Sequence, residues 1–224
     1  GSGDGGFSGD GGPAKLAKLN EPTGMALDSL GQLYIADTKN QRIRLVSSTG
    51  AITTLVGTGE ASFGGDGLPA TRASLKFPSA VAVDERGNLY ISDSGNGRVR
   101  VKGPAGIIST LAGGGGAVGD GGPAKQTLLL SPWGLAVDTN GNLYIADAGD
   151  HRIRKVDSVG SITTAAGGGL GFGDGSLAPS VALNGPAGLS VDGQGNLYIA
   201  EMGGHRIRLM DPTGAIHTIA GIGT

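Results

Sequence analysis

Short apolar stretches separated by glycine-rich turns recur along the whole chain. In one part of it, residues 133–137 and 143–146 are apolar or β-branched, and the turn formers of 138–142 lie between them. Another turn at 148–150 and the segments 152–156 and 161–164 complete a set of four. Because each segment is short and bounded by Gly, Asn or Asp, the pattern predicts four strands joined by hairpins. We name these strands A to D in chain order.

Strand B is apolar on both faces. In its first copy Leu33 and Ile35 point to one side, and Tyr34 and Ala36 point to the other. A strand of this kind is expected to be covered on both sides, as in blades that stack face to face. Strand D is rich in Thr and is expected to be a solvated edge.

The four-strand set occurs four times. Its most constant marker is a Tyr-Ile motif in strand B, with spacings of 56, 54 and 54 residues between Tyr34, Tyr90, Tyr144 and Tyr198. The repeats cover approximately 1–56, 57–112, 113–166 and 167–224. Four hairpin-linked strands in tandem predict an all-β propeller with four four-stranded blades. One propeller domain, 1–224, is expected, with short helical turns in the connections from strand D to the next strand A.

The motif at 141–147, Gly-Asn-Leu-Tyr-Ile-Ala-Asp, followed by Asp150-His151-Arg152-Ile153, resembles the NHL repeat. The Gly-Asp-Gly-Gly-Pro-Ala segments resemble those of large bacterial extracellular NHL arrays and of the teneurin NHL domain. The resemblance implies a β-propeller, commonly six-bladed, that mostly binds partners, although some relatives are enzymes. It also implies an extracellular or periplasmic portion of a bacterial protein.

The number of repeats leaves the assembly open. Four blades closing alone, two chains sharing an eight-bladed ring and one stretch of a longer array are all consistent with the repeats. The chain begins with Gly rather than Met, so a piece of a longer protein, natural or engineered, is expected. Monomer and homodimer both remain open.

Composition narrows the function classes. Gly and Pro, 46 and 10 residues, make up a quarter of the chain, but their regular spacing indicates turns rather than disorder. The absence of Cys removes thiol nucleophiles and thiolate metal sites. The net charge of −2 argues against nucleic acid as a partner, and no apolar run approaches the length of a membrane-spanning helix.

Repeated charges are interpreted as structural. Each strand C carries two arginines at i and i+2, and an acidic residue ends each strand B. The first arginine lies across a short turn from that acid, so cross-strand ion pairs are expected. The expected pairs are Asp37–Arg42, Asp93–Arg98, Asp147–Arg152 and Glu201–Arg206. The alternative, a ring of eight arginines that binds phosphate or RNA, lacks a net basic charge.

The Gly-Asp-Gly turns are interpreted in the same way. Asp10 and its equivalents are expected to form Asx turns that cap a short helix beginning at Pro13, since no loop supplies the oxygen ligands that calcium needs. Phe7, Phe63 and Phe172, with Val118 in the third repeat, are expected to pack these loops down.

The longest and most variable loops are expected at one end of the blades, where the B–C turns and the long connections meet. Binding commonly occurs on such loops. Residues that differ between repeats are the candidates there. They are Trp133, Lys39, Asn40, Asn96, Asp150, His151 and His205. Trp133 is either a binding residue or a gap filler beneath the neighbouring connection.

No catalytic residue, metal or cofactor is expected. The predicted function is a non-catalytic binding or scaffold module for an unidentified protein or small ligand. The alternatives are a metal-dependent lyase or hydrolase propeller and a structural segment of a bacterial surface repeat protein.

Overall fold

The structure, a computed structural model, describes residues 1–117, 119–171 and 173–223. Each repeat forms one antiparallel sheet with its strands in the order A to D, and the predicted all-β propeller class with four blades is confirmed. The first sheet contains β1 (Pro22–Leu27), β2 (Leu33–Asp37), β3 (Arg42–Val46) and β4 (Ile52–Val56). The second contains β5 (Pro78–Val83), β6 (Leu89–Asp93), β7 (Arg98–Lys102) and β8 (Ile108–Gly113). The third contains β9 (Pro132–Val137), β10 (Leu143–Asp147), β11 (Arg152–Val156) and β12 (Ile162–Ala166).

The fourth sheet has a fifth, two-residue strand. It contains β13 (Ser176–Leu177), β14 (Pro186–Val191), β15 (Leu197–Glu201), β16 (Arg206–Met210) and β17 (Ala215–Ala220). Strand β13 belongs to the connection that precedes the blade and pairs with strand D, β17.

The predicted short helices are single 3-10 turns. In the connections they cover Ala14–Leu16, Ala70–Arg72, Ala124–Gln126 and Ala178–Ser180. In the B–C turns they cover Thr38–Asn40, Ser94–Asn96 and Ala148–Asp150. Each B–C turn ends on a residue in the left-handed region, where φ is 56° at Gln41, 59° at Gly97 and 53° at His151. Gly is the residue that adopts this conformation at least cost, which explains Gly97.

The chain divides into two compact units of two repeats each, Gly1–Leu111 and Ala112–Thr224. The core of the first unit lies between its two sheets, where Ala36 and Ile43 of one repeat pack with Val81 and Ile91 of the next. The second unit has an equivalent core, in which Ala146 and Ile153 pack with Ile199. Within each unit, one face of each strand B is therefore covered by the neighbouring repeat. A single domain over 1–224 stays a prediction.

The outer strand of each sheet is not the open edge that its threonines suggested. In the first repeat the Gly11 N–H donates to the Ile52 carbonyl at 2.8 Å, and the Ile52 N–H donates to the Gly12 carbonyl at 3.0 Å. Ile52 is itself buried. The connection thus covers the edge strand of its own repeat, which protects a row of backbone groups that would otherwise pair with other chains.

Candidate functional site

The B–C turn and the Gly-Asp-Gly connection meet at one end of each repeat, which we call the connection end. In the first repeat this end is built around the fully buried carboxylate of Asp37. Asp37 accepts hydrogen bonds from the Asn20 N–H at 2.7 Å, Asn40 Nδ2 at 2.8 Å and Arg44 Nη1 at 3.3 Å. One carboxylate therefore ties together the connection, the turn and strand C.

The ion pairs expected from the sequence have the wrong arginine in the first two repeats. Asp37 pairs with Arg44 at 3.3 Å, and Asp93 pairs with Arg100 at 3.4 Å, so the partner is the second arginine of each pair. Arg42 instead donates to the backbone carbonyls of Asn40 and Thr58, and Arg98 donates to that of Asn96. The second arginine is completely buried and reaches inward to the acid, whereas the first turns toward the loop.

The third and fourth repeats depart from this arrangement in different ways. Glu201 is one methylene longer than Asp and binds both arginines of its repeat, Arg206 at 2.9 Å and Arg208 at 3.5 Å. In the third repeat Arg152 pairs with Asp150 of the turn and not with Asp147. Asp147 accepts the Leu130 and Ser131 N–H groups.

The aspartates of the Gly-Asp-Gly turns do not cap the helical turns as expected. Asp10 accepts hydrogen bonds from Arg44 and Thr54, both at 2.7 Å, and the helical turn that follows Pro13 has no side-chain cap. The other three turns have the same arginine contact, which is Asp66–Arg100 at 2.6 Å, Asp120–Arg154 at 2.8 Å and Asp174–Arg208 at 3.2 Å. These aspartates therefore fasten the connection to the buried arginine and to strand D.

The pKa values of two acids that share one arginine shift in opposite directions. Burial raises the pKa of Asp93 more than the hydrogen bonds from the Lys76 N–H and Asn96 lower it. At Asp66 burial is outweighed by the hydrogen bond from Thr110 and the charge of Arg100, so its pKa is lowered. Burial also raises the pKa of Asp147, and the negative charge of Asp150 adds to that shift.

The phenylalanines of the connections pack on the arginine pairs. The Arg42 guanidinium lies 3.8 Å from the centroid of the Phe7 ring, and Arg98 lies 4.1 Å from that of Phe63. This cation–π geometry holds the loop down. Phe172 and Val118, which were assigned the same role, lie outside the described residues.

Two of the candidate binding residues are used within the scaffold. Asn40 Nδ2 donates to Asp37 and to the Gly6 carbonyl at 2.7 Å. Asn96 Nδ2 donates to Asp93 at 2.8 Å and to the Ser62 carbonyl at 3.0 Å. Both amides therefore join the turn to the connection.

The residue that ends the B–C turn has a role that the sequence did not reveal. Gln41 Oε1 accepts the N–H of Phe77 at 2.6 Å, and His151 Nδ1 accepts the N–H of Gly185 at 3.0 Å. Phe77 and Gly185 each precede the proline that begins strand A of the following repeat. One signal for this role was present in the sequence. The last residue of the B–C turn is Gln, Gly or His at the same position of the repeat, so its chemistry varies although its αL conformation does not.

The remaining candidates are exposed. Lys39 forms an ion pair with Glu21 at the surface, and His205 is exposed at the end of the last turn. Trp133, at the start of β9, keeps 41% of its surface exposed, and Leu130 just before it keeps 51%. We call these two exposed apolar residues, Leu130 and Trp133, the Trp133 patch.

The opposite end, formed by the A–B turns, is uniform. Asp28 accepts the backbone N–H groups of Leu30 and Gln32 and the Tyr34 hydroxyl, the last at 3.1 Å. The same tyrosine bond occurs in each repeat, and it explains the place of all four tyrosines. Burial and the bond to Asp84 raise the pKa of Tyr90 to about 12. The repeated aspartates and tyrosines of this end therefore have structural roles.

Within the described residues, no three or more His, Asp or Glu side chains gather in a way that could hold a metal ion. No helix in that part of the chain is long and apolar enough to cross a membrane.

The family model of the NHL repeat matches residues 75–101 and 129–156, and that of the teneurin NHL domain matches residues 2–63. The chain belongs to the NHL-repeat family. The residues matched by the NHL repeat cover strands A to C of the second and third repeats, which include Asp93 and Asp147. Teneurin-3 of Mus musculus is 31% identical to this NHL-repeat chain over 89% of its length. The chain spans about 8% of that relative, and the bacterial origin suggested by the sequence stays a prediction.

Solved structures share the fold of this NHL-repeat chain. A nidogen/laminin complex matches with a TM-score of 0.63 and 22% identity, covering 91% of this chain and 65% of the other. A streptogramin B lyase matches with a TM-score of 0.58 and 16% identity, covering 90% of this chain and 55% of the other. At these identities the likeness concerns the fold, and the lyase lends no chemistry to this chain.

Proposed function

We propose that this NHL-repeat chain is a non-catalytic binding module whose protein partner contacts the Trp133 patch at the connection end of the third repeat. The observation that carries the proposal is the exposure of Trp133 and Leu130 at positions that the scaffold does not require to be apolar. The equivalents of Trp133 are Thr23, Ser79 and Ala187. Trp is enriched where partners bind most strongly.

The surroundings of the patch support this use. Strand A pairs with β10 on both sides of Trp133, with Pro132 opposite Asp147 and Leu135 opposite Ile145, and the register shifts between these two pairs. Leu130 and Ser131 are held by their N–H groups on that carboxylate. A rigid backbone beneath an exposed aromatic side chain lowers the entropy lost on binding. An extracellular or periplasmic location stays a prediction from the family resemblance.

The test uses peptides displayed on phage and panned against the folded protein. Because Trp133 is the only tryptophan, its fluorescence reports binding at the patch directly. For the enriched peptides, Trp133→Ala is expected to raise Kd by about tenfold or more, as at other aromatic hot spots, and calorimetry measures this Kd because the variant has no tryptophan. The matched control is Val159→Ala, which removes apolar surface from an exposed C–D turn of the same repeat.

Two results would contradict the proposal. Enriched peptides that bind Trp133→Ala as tightly as the parent protein would place the binding surface elsewhere. A large fall in the melting temperature of Trp133→Ala would identify the indole as packing, and Trp133→Phe, which retains an aromatic ring, would then restore stability.

A further inference from the structure

A groove of about 480 Å³ lies between the third and fourth repeats, inside the second unit. One wall comes from strands B to D of the third repeat, and the other comes from the fourth repeat and the connection that precedes it. Its volume is within the range of sites that hold small molecules, about 300–1,000 Å³. We call it the interblade groove, and its main lining residues are Tyr144, Lys155, Ala165, Leu177, Met210 and Pro212.

Lys155 is a charged residue at a position that the other repeats keep apolar. It lies opposite Tyr144 of β10 and Thr163 of β12, so the three side chains are on the same face of the sheet. Tyr144 belongs to the core that the third repeat shares with the fourth, and this face is therefore the one turned toward the fourth repeat. The equivalents of Lys155 in strand C are Leu45, Val101 and Leu209.

The ammonium group of Lys155 has no anionic partner in the part of the chain that the structure describes. Lys155 is half-buried, and its Nζ atom lies 5.9 Å from the centroid of the Tyr144 ring. Among those residues it has no ion pair and no hydrogen bond. Because a buried charge is costly unless it is paired, an anion that enters the groove beside Lys155 is stabilised.

The first unit places its lysine differently at the equivalent junction. Leu45 takes the place of Lys155, and Lys102 of the following repeat takes the place of Met210. The Lys102 Nζ atom donates to the Gly103 carbonyl at 3.3 Å. The lysine of the first unit therefore has an acceptor in its own turn, whereas Lys155 has none among the described residues.

The opposite wall of the interblade groove is also particular to this junction. Leu177 is 64% exposed, and it is held in β13 by pairing with Ala215 of β17. Its side chain therefore adds apolar surface on a fixed backbone, directly across the groove from the third repeat. The equivalents of Leu177 in the other three connections are all proline, namely Pro13, Pro69 and Pro123.

Asp211 limits the charge that the groove accepts. It lines the groove, and its Oδ1 atom accepts the Thr213 N–H at 2.8 Å, the Thr213 hydroxyl at 2.6 Å and the Ala215 N–H at 3.1 Å. The hydrogen bond from the Thr213 hydroxyl lowers the pKa of Asp211, so this acid is ionised at neutral pH. A ligand with a second negative charge would be repelled by it.

We propose that the interblade groove binds a small carboxylic acid that carries one negative charge and an apolar body. The carboxylate accepts a hydrogen bond from Lys155 Nζ, and the apolar body packs on Leu177 and Met210. The proposal is independent of the Trp133 patch, because neither Leu130 nor Trp133 lines this groove.

The first test follows the methionine methyl groups by NMR while cinnamate, a monoanion with a flat apolar body, is added to the whole chain. The methionines are Met25, Met202 and Met210, and Met210 lines the groove. We expect a saturable shift of the Met210 methyl signal and no shift of Met25. Cinnamamide, which has the same body without the charge, is expected to bind with a Kd about tenfold higher or more.

The second test changes Lys155. Lys155→Leu introduces the residue that the first and fourth repeats have at this position, so we expect a folded protein whose Kd for cinnamate is raised by about tenfold or more. Lys155→Arg retains the positive charge and is expected to retain binding. The matched control is Lys125→Leu, because Lys125 is an exposed lysine of the same repeat that does not line the groove.

Three results would overturn the proposal. They are a Met210 signal that does not move at any soluble concentration of cinnamate, cinnamamide binding as tightly as cinnamate, and equal binding by Lys155→Leu and Lys125→Leu. If Lys155→Leu lowers the melting temperature, the comparison of cinnamate with cinnamamide on the parent protein still decides whether the charge is recognised.

Discussion

The connection ends of the first and third repeats have the same backbone and different hydrogen bonding. Both have a 3-10 B–C turn that ends in the αL conformation. In the first repeat Asn40 and Arg44 both donate to Asp37. In the third, the position of Asn40 is held by Asp150, which cannot donate when ionised.

The arginine of the third repeat shows the consequence. Arg154 Nε and Nη1 are buried and have no hydrogen-bond partner among the described residues, and the pKa of Asp147 is raised. The incomplete network lies in the repeat that also exposes Trp133 and Leu130. One repeat can therefore keep the same fold with fewer hydrogen bonds to its buried acid. In this chain that repeat is also the one whose exposed residues Leu130 and Trp133 differ from their equivalents in the other repeats.

Removal of the buried arginine should give the largest difference between the two repeats in the free energy of unfolding. Arg44→Ala leaves the buried carboxylate of Asp37 without its cation and should lower the free energy of unfolding by about 3–5 kcal/mol. Arg154→Ala should lower it by about 1–3 kcal/mol, because its partner Asp120 is half exposed. Urea denaturation followed by circular dichroism measures both, with the exposed Arg72→Ala as control. Equal losses would mean that the two networks are equivalent.

Asn40 and Asp150 occupy the same position of the B–C turn, and exchanging them should make the hydrogen bonding of each repeat resemble that of the other. Asp150→Asn supplies an amide donor to Asp147 and should raise the free energy of unfolding by about 1 kcal/mol. Asn40→Asp places a second acid beside buried Asp37 and should lower it by about 1–3 kcal/mol. The same denaturation experiment applies, and a destabilising Asp150→Asn would show that the ion pair between Asp150 and Arg152 outweighs the missing donor.

The pH dependence should have opposite signs at the two kinds of acid. Asp66 has a lowered pKa, so its contribution to stability is present above the unfolded value of 3.8 and is lost as the pH falls through the folded value. Asp93 and Asp147 have raised pKa values, so their contribution is present below 3.8 and is lost as the pH rises through their folded values. Carboxyl-carbon NMR titration measures each site. Asp93 titrating below Asp66 would contradict the assignment of burial as the dominant cause at Asp93.

The smallest effect is expected at the A–B end, where the repeats differ little. Tyr34→Phe and Tyr90→Phe remove hydroxyl bonds of 3.1 and 3.0 Å to aspartate and should each lower the free energy of unfolding by about 1 kcal/mol. Tyr144→Phe removes a bond of 3.5 Å and should have a smaller effect. If Tyr144→Phe proved the most damaging of the three, the A–B ends would not be uniform.

Much of the fold was predictable from the sequence. The segment 152–156 coincides with β11, and the predicted strand B of the third repeat ends one residue before β10 does. These agreements follow from local rules, since Gly, Asn and Asp place the turns and apolar side chains mark the strands between them. Four copies of the pattern make each assignment support the others.

The site was less predictable. The sequence correctly placed acids and arginines on adjacent strands, but Asp37 and Arg42 are direct cross-strand neighbours and still do not pair. The preference for Arg44 arises because Asp10 and the Ser8 carbonyl of the connection also bind it. Those groups lie more than 30 residues away in the chain, so the register of the strands alone does not predict that they bind Arg44.

The sequence by itself determined the number of repeats, the strands within them and the family, because periodic turns and side-chain alternation are local properties. The tertiary structure decided which arginine meets which acid, that the connection covers its own edge strand, and that Gln41 and His151 bind the next repeat. It also decided which apolar residues are left uncovered. Each of these depends on groups far apart in sequence competing for the same buried carboxylate, backbone edge or neighbouring blade, and such competition is resolved only when the chain is packed.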